Sequence, residues 1–366
     1  HRWKAHSTEL PRGMGKMALG WCGGVHQIGG ITFGHDVPVQ MNCSSAARIF
    51  TVPLRFDFST VHLIFRKGIP MKLSAVTSAA IVVTGLLAST VVSADTLKKV
   101  AESGKITLAY RESSVPFSYL SGPGAPVGFA VDISNAVVDA VKKRVNNPAL
   151  KVELQAVTSQ NRIPLLTNGT IDLECGSTTN NTARGKDVQF AINYFYTGTR
   201  LLTKKASGVK NYADLAKKKV ASTSGTTNAQ VIRKYNRDQN LDMDIVLGKD
   251  HDDSVLLVET GRAEAFAMDD ILLFGLMGNQ RNPAEWTVVG DSLQVEPYAC
   301  MLRKDDPQFQ ALVNGVIGGM MKSGEFEKLY TKWFMSPVPP RNQNLNLAMS
   351  KELRENLVAQ SDKPAQ

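Results

Sequence analysis

The chain has 366 residues, enough for two ordinary domains, and a formal charge of +9. Residues 1–94 hold nine Lys/Arg against three Asp/Glu, which leaves 33 against 30 for residues 95–366. The main body is therefore almost balanced, which argues against a nucleic-acid partner.

In chain order, residues 1–70 carry scattered Gly, His and Cys with no period. Cys22, Cys43 and the histidines His1, His6, His26 and His35 match no zinc spacing, so no metal is expected. No stable fold is expected there either, and the segment reads as an upstream extension ahead of the natural start. Met71 to Ala94 then has a basic start at Lys72, an apolar middle from Ala79 to Leu87 and a small-residue end, Val92-Ser93-Ala94. That pattern is a secretory signal with cleavage after Ala94. A membrane anchor is the rival, but Thr77, Ser78, Thr84 and Gly85 break the apolar run and Asp95 follows it at once.

The mature part, 95–366, has two cysteines and one histidine. Cys175 and Cys300 allow one disulfide in an oxidising compartment, with two buried thiols as the alternative. Lys105–Tyr110 reads as a strand, and Ile133–Arg144 as a helix because Ile133, Ala136, Val137, Ala140 and Val141 fall at helical spacing. Lys151–Ala156 is the next strand, Asn161–Asn168 a short helix and Ile171–Leu173 a third strand. The β-α-β-α order predicts a parallel sheet covered by helices. Thr199–Thr203 reads as an extended crossing. A second α/β unit follows, with strands at Lys219–Ser222, Asp244–Leu247 and Ala265–Met268. Its helices fall at Ala229–Asn240, Asp253–Thr260 and Ile271–Met277. Tyr298–Leu302 reads as a strand returning to the first unit, followed by helices Pro307–Ser323 and Glu325–Phe334. The polar stretch beyond Pro337 is expected to wrap the surface, its last ten residues mobile.

One lobe is thus interrupted by another and resumed: 95–198 with 297–366, and 199–296. In such open sheets ligands sit beyond the carboxyl ends of strands. Four polar clusters fall at those ends: Arg111–Ser114, Ser177–Thr179, Thr223–Thr227 and Asp269. Arg184 and Arg162 add planar bidentate forks suited to carboxylates. Each residue has a plainer reading too. Arg111 could pair with Glu112 and Arg184 with Asp187. Arg162 could decorate its helix, Asp269 could cap the next one, and His251 could be a surface histidine among acids. The acids around His251 lack the spacing and closing Glu of an EF-hand.

Residues 95–340 resemble the periplasmic solute-binding proteins of polar amino-acid ABC importers, the glutamate/aspartate-binding branch above all. The matching stretches include RESSVPFSY (111–119), TSQNRIPLL (158–166), ECGSTTNN (174–181), TSGTT (223–227), KDH (249–251), MDD (268–270) and CMLRKDDPQF (300–309). The resemblance implies a two-lobed class II periplasmic binding protein, lobe two inserted into lobe one, with two hinge strands. It implies that Arg184 with Thr179 clamps an α-carboxylate, and that Asp269 takes the ammonium with Ser177 as a second acceptor. Thr227 would present a donor at a helix start, where the dipole favours an anion. Arg111, Ser159, Arg162 and His251 would form the side-chain carboxylate pocket. Three guanidinium groups against one carboxylate make this set +2 when His251 is neutral, which favours an acidic ligand. The expected partners are L-glutamate or L-aspartate and an inner-membrane ABC permease, for a periplasmic monomer with no cofactor.

Two alternatives stay beside that reading: another polar amino acid as ligand, or a dehydratase-type enzyme of the same fold. The enzyme would need a general acid or base. His251 is the only mature histidine, and no Ser-His-Asp or metal set accompanies it. A sensory ectodomain or channel core would need a membrane span after the binding unit, and the sequence shows none after Trp333.

Overall fold

The computed structural model describes residues 94–365. The upstream extension expected at 1–70, and the signal segment up to Ser93, lie outside the described residues. The first unit runs α1 (Thr96–Ser103), β1 (Lys105–Tyr110), β2 (Ser113–Ser114), β3 (Ser118–Tyr119), α2 (Phe129–Arg144), β4 (Lys151–Ala156), α3 (Arg162–Thr167), β5 (Leu173–Glu174) and β6 (Val188–Phe190). The chain leaves it along β7 (Phe195–Thr197). The second unit runs β8 (Thr199–Lys204), β9 (Lys219–Thr223), α4 (Thr227–Asp238), β10 (Asp244–Gly248), α5 (His251–Glu259), β11 (Ala265–Asp269), α6 (Asp270–Gly278) and β12 (Trp286–Val289). β13 (Glu296–Tyr298) leads back to β14 (Met301–Arg303), α7 (Pro307–Ser323) and α8 (Glu325–Phe334). The short pair β15 (Pro337–Val338) and β16 (Gln343–Asn344) and a last helix, α9 (Lys351–Ala359), complete the described chain.

Each unit is built on a five-stranded sheet, ordered β4-β1-β5-β14-β6 in one and β10-β9-β11-β8-β12 in the other. The expected parallel sheets are in fact mixed. β1 pairs in parallel with β4 and β5, and β14 closes that sheet antiparallel to β5 and β6. In the second sheet β9 pairs in parallel with β10 and β11, and β8 runs antiparallel to β11 and β12. The antiparallel strand in each sheet is the one next to a crossing between units, where the chain enters from the opposite end.

The two crossings, β7 and β13, pair with each other as an antiparallel ribbon. The segment 199–203, expected to be the crossing, lies inside the second sheet instead. Thr199, Leu201, Leu202 and Thr203 are all buried, as befits a strand covered on both faces rather than a hinge. An aromatic cluster supports the ribbon: the Phe117 ring lies 4.9 Å from Phe195 and 5.2 Å from Tyr298, both edge-on, and Phe195 stacks on Phe334 at 5.0 Å.

Local chemistry accounts for the best-matched elements. α7 starts where Asp306 accepts from the Phe309 N–H with Pro307 in the first turn, and stops at Gly324 with φ 77°. Val313, Ile317, Met320 and Met321 fall on its buried face. The tail differs from expectation. α9 is a helix capped by Ser350, and Ser361–Ala365 is held in place. Asn193 donates from its amide to the Ser361 carbonyl at 3.0 Å, and its side chain donates to the Lys363 carbonyl at 2.9 Å. Asn180 Nδ2 donates to the Asp362 carbonyl at 2.7 Å, and Ala365 N–H returns to the Asn180 carbonyl at 2.9 Å. The two asparagines are buried, so the tail meets their hydrogen-bonding needs, which its own polar sequence does not announce.

Candidate functional site

The carboxyl ends of β1, β4, β5, β9, β10 and β11 converge where the two units meet. Arg111 follows β1, Ser159 and Arg162 follow β4, Ser177 and Thr179 follow β5, Thr227 opens α4, His251 opens α5 and Asp269 ends β11. Ser159, Arg162, Ser177, Thr179, Thr227, His251 and Asp269 line one cavity of about 10 Å³. Arg111 stands directly behind it. Its Nη1 reaches Ser177 Oγ at 3.5 Å and its Nη2 lies 3.3 Å from His251 Nε2. Arg184 lies at the rim, donating to the Thr179 carbonyl at 2.9 Å and across the units to the Gly225 carbonyl at 3.3 Å.

The plainer readings of the arginines do not hold. Arg111 is fully buried and pairs with Asp250 at 2.6 Å, in the other unit, rather than with Glu112. Arg162 is buried rather than a surface decoration, with its Nη1 3.9 Å from Glu174 Oε1. Asp269 makes no side-chain cap. Its Oδ1 accepts from Asn228 Nδ2 at 2.7 Å and its Oδ2 from the Tyr298 hydroxyl at 2.5 Å.

His251 is the first residue of α5 and is buried, not a surface histidine. Its Nε2 faces a guanidinium that has only protons to offer, so Nε2 is the acceptor and the ring proton sits on Nδ1, donated to Thr223 Oγ1 at 3.0 Å. Burial lowers its pKa from 6.5 to about 3, against the attraction of Asp250. The ring is therefore neutral at pH 7. Burial likewise draws Arg162 down from the usual arginine range to about 9, with Glu174 opposing, which leaves it charged at neutral pH. Burial alone would raise Asp250, but its neighbours together, Arg111 foremost by attraction and hydrogen bonding, lower it. Asp269 is raised by burial first and by Glu296 second, which favours its protonated form.

Three carboxylates that the sequence reading did not assign to the site stand against these cations: Asp250, Glu174 and Glu296. Glu174 accepts from Thr178 Oγ1 at 2.6 Å, and Glu296 accepts from Thr179 and Thr227. This overturns the expected surplus of +2. Three arginines face Asp250, Glu174 and Glu296, with Asp269 a further acid that favours its protonated form, so no surplus of positive charge remains. Arg111 Nε, Arg162 Nε and Nη1 and Ser159 Oγ are buried without any hydrogen-bond partner, and such donors strongly favour a ligand that satisfies them. Asp250 stands among several acids beside His251, and Glu174 lies within ECGSTTNN, where nothing local marks either as the partner of an arginine. Glu296 gave no signal, since it stands on a strand that sequence patterning did not separate from its neighbours.

Two units closing on a cavity lined by arginine, hydroxyl and one acid suit a small zwitterion with an extra acidic group. The family model for bacterial extracellular solute-binding proteins, family 3, matches residues 106–336. The chain belongs to this family. This solute-binding protein is 49% identical over 268 residues to the glutamate/aspartate import solute-binding protein of Escherichia coli, with 73% of this chain and 89% of the relative covered. It is 46% identical over 289 residues to the L-glutamate/L-aspartate-binding protein of Pseudomonas aeruginosa, covering 78% of this chain and 96% of the relative. Among solved structures it resembles an ancestral arginine-binding protein bound to arginine, with 27% identity, TM-score 0.57 and 63% and 98% coverage. It also resembles an ancestral amino acid-binding protein that is a precursor of cyclohexadienyl dehydratase, with 28% identity, TM-score 0.56 and 65% and 99% coverage. These likenesses bear out the two-lobed fold and the solute-binding role. Among the described residues no cluster of His, Cys, Asp and Glu is arranged to hold a metal ion.

Proposed function

We propose that this protein captures L-glutamate and L-aspartate between its lobes and delivers them to an inner-membrane ABC permease. The observation that carries this reading is the set of buried donors without hydrogen-bond partners on Arg162 and Ser159, which line the interlobe cavity, and on Arg111 Nε behind it. They offer fixed N–H and O–H groups to a side-chain carboxylate, with neutral His251 beside them. Near full-length likeness to relatives named for glutamate and aspartate supports it. In the bound form Arg184 holds the α-carboxylate at the rim and Thr179 and Thr227 line the head pocket. Asp269 takes the ammonium with Ser177 alongside. Ammonium binding favours ionised Asp269, so capture carries a proton release wherever that carboxyl is protonated beforehand. The protein acts as a periplasmic monomer, its leader removed after Ala94.

Calorimetric titration of the exported protein with glutamate, aspartate, glutamine and arginine tests the reading. Glutamate or aspartate should bind at least tenfold more tightly than glutamine, because an amide leaves a buried charged donor poorly paired at a cost of roughly 1–3 kcal/mol. Binding of arginine or glutamine alone would overturn the acidic assignment. Arg162→Lys tests the donor geometry: losing the planar fork should weaken glutamate binding by more than tenfold with little change in the unfolding midpoint.

A further inference from the structure

β13 runs behind this site, between the lobes. Strand residues two apart point the same way, and both Glu296 and Tyr298 reach inward. Tyr298 holds Asp269, as described above. Glu296 is 1% exposed, and its Oε2 accepts from Thr179 Oγ1 at 2.5 Å and from Thr227 Oγ1 at 2.6 Å. Thr179 belongs to the first lobe, Thr227 to the second, and Glu296 to the crossing that joins them. The other oxygen, Oε1, is bonded by the Gln294 side chain.

Thr179 and Thr227 also form a partition. They line the central cavity and, on their other side, an open groove of about 570 Å³ along the hinge, and Glu296 lines that groove. The carboxylate thus grips the threonines from behind. A hydroxyl has a single proton, and each of these two places it on Glu296, although the hydroxyls lie only 3.3 Å apart. That contact fixes the hydroxyl rotors, turns their lone pairs to other partners, and ties two lobes through one atom. Opening the lobes must break at least one of the two bonds.

We propose that Glu296 is a positioning residue for capture: from the hinge strand it holds Thr179 and Thr227 together in the closed arrangement and so slows ligand release. The proposal rests on the functional reading above, because it takes these threonines to face the ligand.

The test is a double-mutant cycle on the full protein with L-glutamate, measuring Kd by calorimetry and koff by stopped flow. Glu296→Ala and Thr227→Val should each weaken binding at least tenfold, mostly through faster release. The double variant should be no weaker than the worse single variant, since Glu296→Ala already removes the bond that Thr227→Val removes. Glu296→Gln keeps an acceptor oxygen and should recover affinity to within about threefold of wild type. Should Glu296→Ala fold poorly, the Gln variant and the Thr227→Val arm still decide: a Gln variant as weak as Thr227→Val would count against the latch. Wild-type binding with Glu296→Ala within twofold of it, or additive losses around the cycle, would overturn the proposal alone. Absence of glutamate and aspartate binding by wild type would overturn the functional reading and this proposal together.

Discussion

At the residue scale, the arginines and His251 show how burial changes what ordinary side chains must do. A guanidinium on a helix surface is screened and adds little; Arg111 and Arg162, stripped of water, must find partners. His251 answers differently, by staying neutral. Its folded pKa of about 3 lies below the usual 6.5, so between those values the unfolded chain binds a proton that the folded chain refuses. Stability from this residue is intact above pH 6.5 and is lost as pH falls toward 3. The loss is about 1.4 kcal/mol per pH unit within that window. Raised Asp269 works in the opposite sense, because the folded state then holds the proton more firmly. A comparison with His251→Asn removes that common contribution. The unfolding free energy of wild type minus variant should shrink by about 2–3 kcal/mol between pH 7 and pH 4.5 in urea titrations; parallel curves would contradict a buried neutral ring. Arg111, Arg162, Arg184, His251 and Asp269 were all legible as residue types at strand ends. Asp250, Glu174 and Glu296 were not, because a carboxylate partner is found by proximity in space, which no single segment encodes.

At the element scale, strand and helix patterns were well predicted where one face is apolar and the ends are capped. β1, β4, α7 and α8 match their expected bounds. The misses share a cause. The pattern of Thr199–Thr203 also suits a crossing, and the polar stretch that holds α9 also suits a surface wrap with a mobile end, because their role depends on what packs against them. The turn between β9 and α4 shows an element whose meaning is wholly tertiary. Gly225 has φ 76°, and a Cβ there would lie 2.5 Å from the Gln160 Cα of the other lobe. Ser224 Oγ donates to Gln160 Oε1 at 2.6 Å beside it. Gly225→Ala should therefore prop the lobes apart and weaken ligand affinity at least tenfold in calorimetry. Folding stability should drop by about 1–2 kcal/mol, the left-handed penalty of a side chain. Unchanged affinity would mean that this contact does not limit closure.

At the scale of the whole molecule, the second lobe is an insertion, and the described structure clamps the base of that insertion covalently. Cys175 and Cys300 are joined, 125 residues apart, just after β5 and just before β14. All of the second lobe lies within that loop. A cross-link of this span restricts the unfolded chain, by roughly 2–5 kcal/mol. Replacing both cysteines by serine should lower the urea midpoint accordingly while glutamate affinity changes less than threefold, since neither cysteine lines the cavity. A large loss of affinity without loss of stability would place the bridge in the binding mechanism instead. The sequence by itself determined the alternation of strands and helices, the interruption of one lobe by another, the strand-end positions of the site residues and the likeness to a binding-protein family. All of these follow from local periodicity, turn chemistry and short motifs. Only the tertiary structure decided that Cys175 meets Cys300, that β7 and β13 form the hinge, that the tail packs on Asn180 and Asn193, and that Asp250, Glu174 and Glu296 offset the three arginines. Those outcomes depend on contacts between segments far apart in the chain, and the desolvation that sets their energies arises only when both lobes exclude water from the same small space.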